Sequence, residues 1–346
     1  MDRPVNGSPL EELQPQSVVF SVVMPAYNAE ATIDEALESV TAQTFAAWEM
    51  VVVDDGSADA TLQKAEAYAA RDARMQVISQ ENAGAGAARA RAVAATHSPY
   101  ILQLDADDVL LPHCMETYAA FIAAHPSRDI YSCDAEVFGP QGSLGRYYSA
   151  AHLQAKPEFV LEDLLEQSVI LNPASLISRA LYERIGGIRP QAFAEDYDMW
   201  LRALAHGGRH ILVPEVLVRY RVGPSQRTAS IAPFLEGAVE SLIYLAGSGE
   251  LDDHLVSVAV TSARRYARLA RQHHFAGARE ALEERLCRGD LGDARREFLR
   301  TRLAYASAWR FAVATLVVMA SPRLYATYLR RRRARSAGLL TAGDHR

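Results

Sequence analysis

Between residues 18 and 138 the chain switches between two hydrophobic periods at short, regular intervals, and few folds accept such a pattern. VVFSVVM (18–24), WEMVVVDD (48–55), MQVIS (75–79) and DIYSCDAEVF (129–138) read as strands, and YILQLDADD (100–108) as a strand running into a loop. Between them lie segments with helical spacing: 30–43, where Ile33, Leu37 and Val40 share a face, then 59–72, the Ala-rich 85–97, and 112–125. Strands and helices alternating at this spacing predict right-handed βαβ units, hence an α/β fold with a mostly parallel sheet. Beyond 139 the alternation weakens. Helices are expected near 160–168, 178–185 and 195–208, and short strands over 210–215 and 216–222. From about 231 nearly everything reads as helix, so a soft boundary falls near 230–250.

With 346 residues, 49% hydrophobic and 23% charged, the chain can bury a sizeable core without disulfides or metals. Cys114, Cys133 and Cys287 are odd in number and form no CxxC pair, which points to a reducing cytosol. Residues 1–17 are polar and lack an apolar stretch, so they read as a flexible tail rather than a signal peptide. Charge is unevenly placed. Residues 1–249 hold 17 basic and 32 acidic side chains, and residues 250–346 hold 19 and 10. An acidic body can hold a metal cation, and a basic end can meet an anionic surface. The most apolar late run, WRFAVATLVVMA (309–320), is shorter than the roughly 20 residues needed to cross a bilayer. The following RLYATYLRRRRAR (323–335) sets Leu324, Tyr325, Tyr328 and Leu329 beside an Arg block, a composition suited to an anionic headgroup region. Packing on the acidic body or a dimer contact is the alternative. Nothing in the pattern predicts nucleic-acid binding.

Ligands of an open α/β sheet bind at the carboxyl ends of its strands. Three polar clusters stand there: Pro25-Ala26-Tyr27-Asn28, Asp54-Asp55-Gly56-Ser57 and Asp105-Ala106-Asp107-Asp108. Asp59 reads as a helix cap. Two carboxylates one residue apart at a strand mouth can offer oxygen ligands to Mg²⁺ or Mn²⁺, with substrate phosphates completing the shell. No GxxxxGK[ST] occurs, and no GxGxxG follows the first strand, so a P-loop NTPase and a dinucleotide-binding oxidoreductase are both disfavoured. AGAGAA (83–88) is Gly-rich but follows the wrong strand. His206, His210, His273 and His274 do not form a metal-binding pattern.

VVMPAYNAE, QTFAAWEMVVVDDGSADAT, ENAGAGAARARAVA, YILQLDADDVLLP and FAEDYDMWLRALAHGG, in that order over residues 18–222, resemble the motifs of family 2 glycosyltransferases. The resemblance implies a GT-A fold, flanking helices and a C-terminal helical region. It divides the chain into a tail (1–17), a catalytic domain (18–230) with a nucleotide-binding half (18–139) and an acceptor half (140–230), and an Arg-rich helical region (231–346). It implies inverting transfer of a sugar from a nucleotide donor, UDP-linked rather than dTDP- or GDP-linked, to an acceptor hydroxyl. The setting it implies is surface-polysaccharide or lipid-linked glycan synthesis by a cytoplasmic enzyme, peripheral on the inner face of the cell membrane.

Residue by residue, Pro25, Tyr27 and Asn28 match the nucleotide pocket, where the Tyr27 ring could stack on a base. Asp55 matches the acceptor of the uracil N3–H, which excludes cytosine but not thymine. Asp54 either joins it or braces the loop. Arg89 matches an arginine at the nucleotide or its diphosphate, the alternative being a helix-surface ion pair. Arg91 is assigned to the surface. Asp107 matches a direct metal ligand, and Asp105, beside Ala106, a ribose or metal contact. Glu195-Asp196 matches the catalytic pair, with Asp196 as general base at a helix start. Asp198 and Trp200 are assigned to the acceptor side or to packing. The chain departs from many members in lacking a His after the Tyr220-Arg221 strand, where Arg221, Ser225 or Arg227 could substitute. It also lacks the QxxRW element and membrane spans of processive members. Two rival readings stay open: transfer to a polyprenyl phosphate, which needs no base, and a catalytically silent scaffold of the same fold. A nucleotidyltransferase would show a Gly-rich basic loop after the first strand, and PAYNAE has none.

Overall fold

The structure is a computed structural model and describes residues 20–148, 156–189, 194–223 and 231–287. The expectations for the tail 1–17, for Ser225 and Arg227, and for the apolar and Arg-rich segments 309–335 lie outside these residues. The chain divides into two compact units, Met1–Ala229 and Ser230–Arg346.

The first unit is built on one nine-stranded sheet. Strand β1 (Phe20–Ala26) is buried along nearly its whole length, as a run of FSVVMPA covered on both faces must be. It pairs in parallel with β2 (Trp48–Asp54) on one side and with β4 (Tyr100–Gln103) on the other. β3 (Met75–Ser79) extends the parallel set beyond β2. Helices α1 (Ile33–Thr41), α2 (Thr61–Ala69) and α3 (Ala85–Ala94) supply the crossovers. Ile33, Leu37 and Val40 are buried as the spacing predicts, against a core that includes Phe20, Val22, Met24, Met50 and Val52. The order β3-β2-β1-β4 reverses direction at β1, so the carboxyl ends of β1 and β4 form the switch point where such sheets bind ligands.

The second half of the sheet departs from the predicted pattern in two places. β8 (Leu176–Ser178), three residues long and not foreseen, enters antiparallel between β4 and β6 (Ile130–Gly139). The two strands expected over 210–222 are one, β9 (His210–Arg221), parallel to β6. Its register slips where Val213 pairs Cys133 and Val216 pairs Asp134, so Pro214 and Glu215 fall in a bulge, where a residue without an N–H is tolerated. The segment 100–108 is, as expected, a strand running into a loop, and the strand ends at Gln103. The segment's last residues form a loop and then β5 (Val109–Leu110), which pairs antiparallel with β9. The acid loop is therefore tied to β4 at one end and β9 at the other. The hairpin β6–β7 (Gly142–Arg146) and helices α4 (Cys114–Ala124), α5 (Leu161–Glu166), α6 (Arg179–Arg184) and α7 (Glu195–Ala205) complete the unit. Cys114 and Cys133 are buried free thiols.

The second unit consists, among the described residues, of α8 (Ile231–Ala246) packed on α9 (Asp253–Cys287). Ala259, Ala263, Tyr266 and Ala270 lie on the buried face of α9, and Arg264, Arg265 and Arg268 on its exposed face. No helix among the described residues is long and apolar enough to cross a membrane.

Candidate active site

The loops after β1 and β2 are stitched to each other by side chains. Asn28 sits in the left-handed region (φ 48°), where a short polar side chain is tolerated. Its Oδ1 accepts from the Ala58 N–H at 2.9 Å, and its own N–H donates to Ser57 Oγ at 3.0 Å. Ala29 N–H donates to Thr61 Oγ1 at 2.7 Å. Asp59 accepts from Thr61 N–H and Oγ1 through one oxygen and from Glu30 N–H through the other; the residue that caps the helix is Ala60, so Asp59 ties the two loops together just ahead of the cap. Pro25 is half-buried, whereas the Tyr27 side chain is 54% exposed and has a ring face to offer.

Asp55 is buried and anchors the segment that opens α3. Oδ1 accepts from Gln80 Nε2 (2.7 Å) and Ala83 N–H (2.9 Å), and Oδ2 accepts from Gly84 N–H (2.8 Å). A carboxylate has about four lone-pair positions, so one remains on Oδ2. Asp54, also buried, braces Ser57 and Ser79 through long contacts of 3.4 and 3.5 Å, and its Oδ1 has no partner. Gly56 (φ 77°) permits the close approach of the 80–82 segment, since a Cβ there would stand 3.0 Å from Asn82 N.

Helix α3 carries this anchorage to the second cluster. It starts on the Asp55 carboxylate and presents Arg89 little more than one turn later. Arg89 is 4% exposed. Its Nη1 donates to Glu195 Oε1 at 2.6 Å, and its Nη2 donates to Asp105 Oδ1. The guanidinium thus joins the acid loop to the start of α7, and its Nε has no partner. It is not the surface ion pair of the alternative reading. The approach is close because residue 86 is glycine: a Cβ there would lie 3.2 Å from both Cβ and Cγ of Glu195. Ala194, just before α7, takes φ 57° to turn Glu195 inward.

Asp196 follows, half-buried, with Oδ1 accepting the Tyr197 N–H at 2.8 Å. Burial, the Glu195 charge and the Asp105 charge push its carboxyl up to about 6, against the opposing pull of Arg89 and of that hydrogen bond. Asp196 in turn helps burial raise the hydroxyl of Tyr147, which packs edge-on against Tyr148 and Tyr220.

The acid loop itself is held by its backbone. Ala106 carbonyl accepts from Thr32 Oγ1 (3.0 Å), and Asp107 carbonyl accepts from Arg221 Nε (2.8 Å). Asp108, absent from the sequence-based site, is buried. Its Oδ1 accepts the Arg221 N–H at 2.8 Å, and burial with the charges of Asp107 and Asp105 raises its carboxyl well above the usual range. Arg221 also reaches Glu35 Oε2 at 2.6 Å, so the residue named as a substitute for the absent His stands beside the acid loop. Asp105 keeps 30% of its side chain exposed, and Asp107 is half-buried. Among the described residues no three His, Cys, Asp or Glu converge as a metal cage. Two aspartates at one mouth, both reachable, still suit a hard cation whose shell a diphosphate completes.

Other expectations resolve as packing. Asp198 is buried between Arg189 and Arg202, and Trp200 is buried. Arg91 is exposed. His210 is buried, accepts the Phe159 N–H at Nδ1 and pairs Ser132 through Nε2, and burial lowers it to about 3.

Residues 21–186 match the family described as Glycosyl transferase family 2. The putative glycosyltransferase EpsE of Bacillus subtilis is 30% identical over 207 residues, 58% of this chain and 72% of that protein. The chain belongs to glycosyl transferase family 2. A second family relative, the Escherichia coli protein WfgD, a UDP-Glc:α-D-GlcNAc-diphosphoundecaprenol β-1,3-glucosyltransferase, is 29% identical over 54% of this chain and 70% of its own length. Two other curated relatives are spanned over only 63% and 25% of their length. Among solved structures, S. aureus TarS 1–349 in complex with UDP-GlcNAc superposes with a TM-score of 0.61 at 23% identity, over 81% of each chain. The family fold, an α/β sheet of GT-A type with flanking helices, is therefore the fold described above.

Proposed function

We propose that this family 2 member transfers a sugar, with inversion, from a UDP-linked donor to an acceptor hydroxyl in the assembly of a surface polysaccharide or lipid-linked glycan. The observation that carries the reading is the buried Arg89, which binds Asp105 of the acid loop and Glu195 at the start of α7. Residues 90 positions apart in the chain thereby face one reaction centre. The name of WfgD, with its UDP donor and diphospholipid acceptor, supports the same chemistry.

In this reading residues 18–139 of the 18–230 catalytic domain bind the nucleotide, and 140–230 bind the acceptor. Tyr27 offers its ring to the base, with Pro25 and Asn28 shaping that pocket, and the remaining lone pair of Asp55 accepts the uracil N3–H. Asp54 braces the loop. Asp105 and Asp107, with Ala106 between them, would hold Mn²⁺ or Mg²⁺. Such an ion, when bound, neutralises charge on the departing diphosphate. Asp196 takes the acceptor O–H proton as the oxygen bonds the anomeric carbon and the carbon–diphosphate bond breaks on the opposite face. A carboxyl pushed up to about 6 is still mostly ionised at pH 7 and is a better base than an ordinary aspartate. Glu195 and Arg89 hold it in place. The Arg-rich region 231–346 would meet the anionic inner face of the cell membrane.

The test is a screen of UDP-, dTDP- and GDP-sugars for donor hydrolysis and for transfer to an α-GlcNAc diphospholipid, with Mn²⁺ and with EDTA. UDP-sugar turnover that EDTA abolishes is expected. Failure to bind UDP in the presence of Mn²⁺ by calorimetry would revive the silent-scaffold alternative.

A further inference from the structure

Among the described residues eight buried side-chain polar atoms lack a hydrogen-bond partner, and six of them belong to Asp54, Arg89, Gln103, Asp108 and Asn172. Four of these residues lie in or beside the clusters described above. The fifth, Asn172, supplies two of the six atoms. It is 5% exposed, and neither its Oδ1 nor its Nδ2 is bonded. Buried polar groups are otherwise almost always paired, so an amide orphaned at both ends asks for a ligand.

The backbone places it. Ser175 N–H donates to the Asn172 carbonyl, Ala174 N–H donates to the Gln103 carbonyl (2.7 Å), and Gln103 N–H donates to the Ser175 carbonyl (3.0 Å). Gln103 ends β4 two residues before Asp105, so the 172–175 segment lies along the strand that delivers the acid loop. Ala174 is held at φ 61°. The described residues contain three non-glycine positions with positive φ, Asn28, Ala174 and Ala194, and the other two border the nucleotide loop and the Glu195-Asp196 pair. Strain retained where the surroundings enforce it marks functional segments. Three residues before Asn172, the Val169 carbonyl accepts the hydroxyl of Tyr148, which stands next to Tyr147, and Tyr147 feels the Asp196 charge.

We infer that Asn172 is a specificity-determining residue that bonds a hydroxyl of a sugar seated over the acid cluster. The inference rests on the sugar-transfer reading. A hydroxyl both donates and accepts, matching an amide that offers Nδ2–H and Oδ1. At a buried amide such a bond discriminates strongly, because a sugar lacking the hydroxyl leaves the amide orphaned. The hydroxyl belongs to the donor sugar or to the acceptor sugar, and the two are separable.

The experiment compares wild type, N172A and the near-isosteric N172L in three measurements, all with Mn²⁺ present. These are calorimetric Kd for UDP and for UDP-glucose or UDP-GlcNAc, KM for an α-GlcNAc diphospholipid, and Tm. Both variants should bind UDP within twofold of wild type. A donor contact appears as a UDP-sugar Kd weakened tenfold or more. An acceptor contact appears as an unchanged donor Kd with the acceptor KM raised tenfold or more. N172L should also raise Tm, since it removes two unpaired polar atoms without leaving a cavity. Donor Kd, acceptor KM and kcat all within twofold of wild type in N172L would overturn the assignment while leaving sugar transfer intact. So would UDP and UDP-sugar weakened equally with a lowered Tm, the mark of a structural role. A wild-type chain that binds no nucleotide sugar overturns both readings together.

Discussion

Helix α7 carries two buried ion clusters one turn apart, and they are built on opposite plans. At Asp198 one carboxylate lies between two arginines: Arg189 donates through Nε (2.9 Å) and Nη2, and Arg202 donates through Nε (2.8 Å). The remaining Arg202 nitrogens donate to the carbonyls of Ile185 (2.7 Å) and Gly187 (2.6 Å). At Glu195 the ratio is reversed. One arginine, Arg89, faces Glu195 and Asp105 with Asp196 nearby, and its Nε has no partner. The saturated cluster fixes the helix on the loop before it. Among the described residues the acid-rich cluster sets three carboxylates around one guanidinium whose Nε has no partner, the negative balance that a site for cationic or polar ligands requires.

The sharpest break in this comparison is a pair of neutralisations on the same helix. Asp196→Asn should lower kcat by about 10²- to 10⁴-fold, the usual worth of a general base. It should also raise Tm at pH 7. The sign follows from the raised carboxyl: the folded chain holds that proton up to about pH 6, whereas the unfolded chain releases it near 3.8. Stability therefore falls as pH rises through that window, and the neutral amide regains it. In the wild type kcat/KM should drop tenfold per pH unit below about 6, which a pH–rate profile checks. An unchanged rate in Asp196→Asn would instead favour an acceptor already ionised, such as a polyprenyl phosphate. Asp198→Asn should do the reverse, losing about 3–5 kcal/mol by leaving two guanidiniums uncompensated. Urea unfolding measures that loss, and kcat of the folded protein at low temperature should change little.

Arg89→Lys sharpens the comparison at intermediate size. Lysine keeps the charge but cannot donate to Glu195 and Asp105 from two separate nitrogens of a planar fork. Activity should fall by about 10²-fold, the cost of roughly an ångström of misplacement between reacting groups. Nucleotide affinity should fall far less, because the Asp55 anchorage is untouched. A loss of UDP binding equal to the loss of rate would support the direct nucleotide contact that the sequence suggested for Arg89.

The Arg89 bridge shows where sequence reading ends. The alternation of parallel strands and helices was legible from β1 to β4 because each strand is a run rich in apolar residues and each crossover helix has a buried face. β8 was not, since three residues of Leu-Ile-Ser carry no period, and β9 was cut in two because Pro214 looks like a turn until the bulge is seen. Asp105, Asp107, Glu195 and Asp196 stood out as acids at element ends. Arg89 stood out too, but its partners lie 16 and 106 residues away, and no spacing rule joins them. Asp108 was hidden as the third acid of DADD. Asn172 precedes a proline in a segment that reads as ordinary loop, and its interest lies in bonds it does not make.

Gly86 was passed over as part of a Gly-rich stretch after the wrong strand, and it gives the smallest and most discriminating effect. Alanine there improves helix propensity by about 1 kcal/mol. Against this, the new Cβ meets Glu195 Cβ and Cγ at 3.2 Å and Ile188 Cγ2 at 3.4 Å, an overpacking that costs about 1–3 kcal/mol. The two nearly cancel, so Gly86→Ala should unfold within about 2 kcal/mol of wild type. The displaced partner is Glu195, however, and Asp196 moves with it. A several-fold drop in kcat with little change in UDP affinity is expected, read from steady-state rates and calorimetry on one preparation. Were kcat to stay unchanged while stability fell, the closeness of α3 to α7 would be a packing matter alone, and the acid-rich cluster would tolerate looser placement than its geometry suggests.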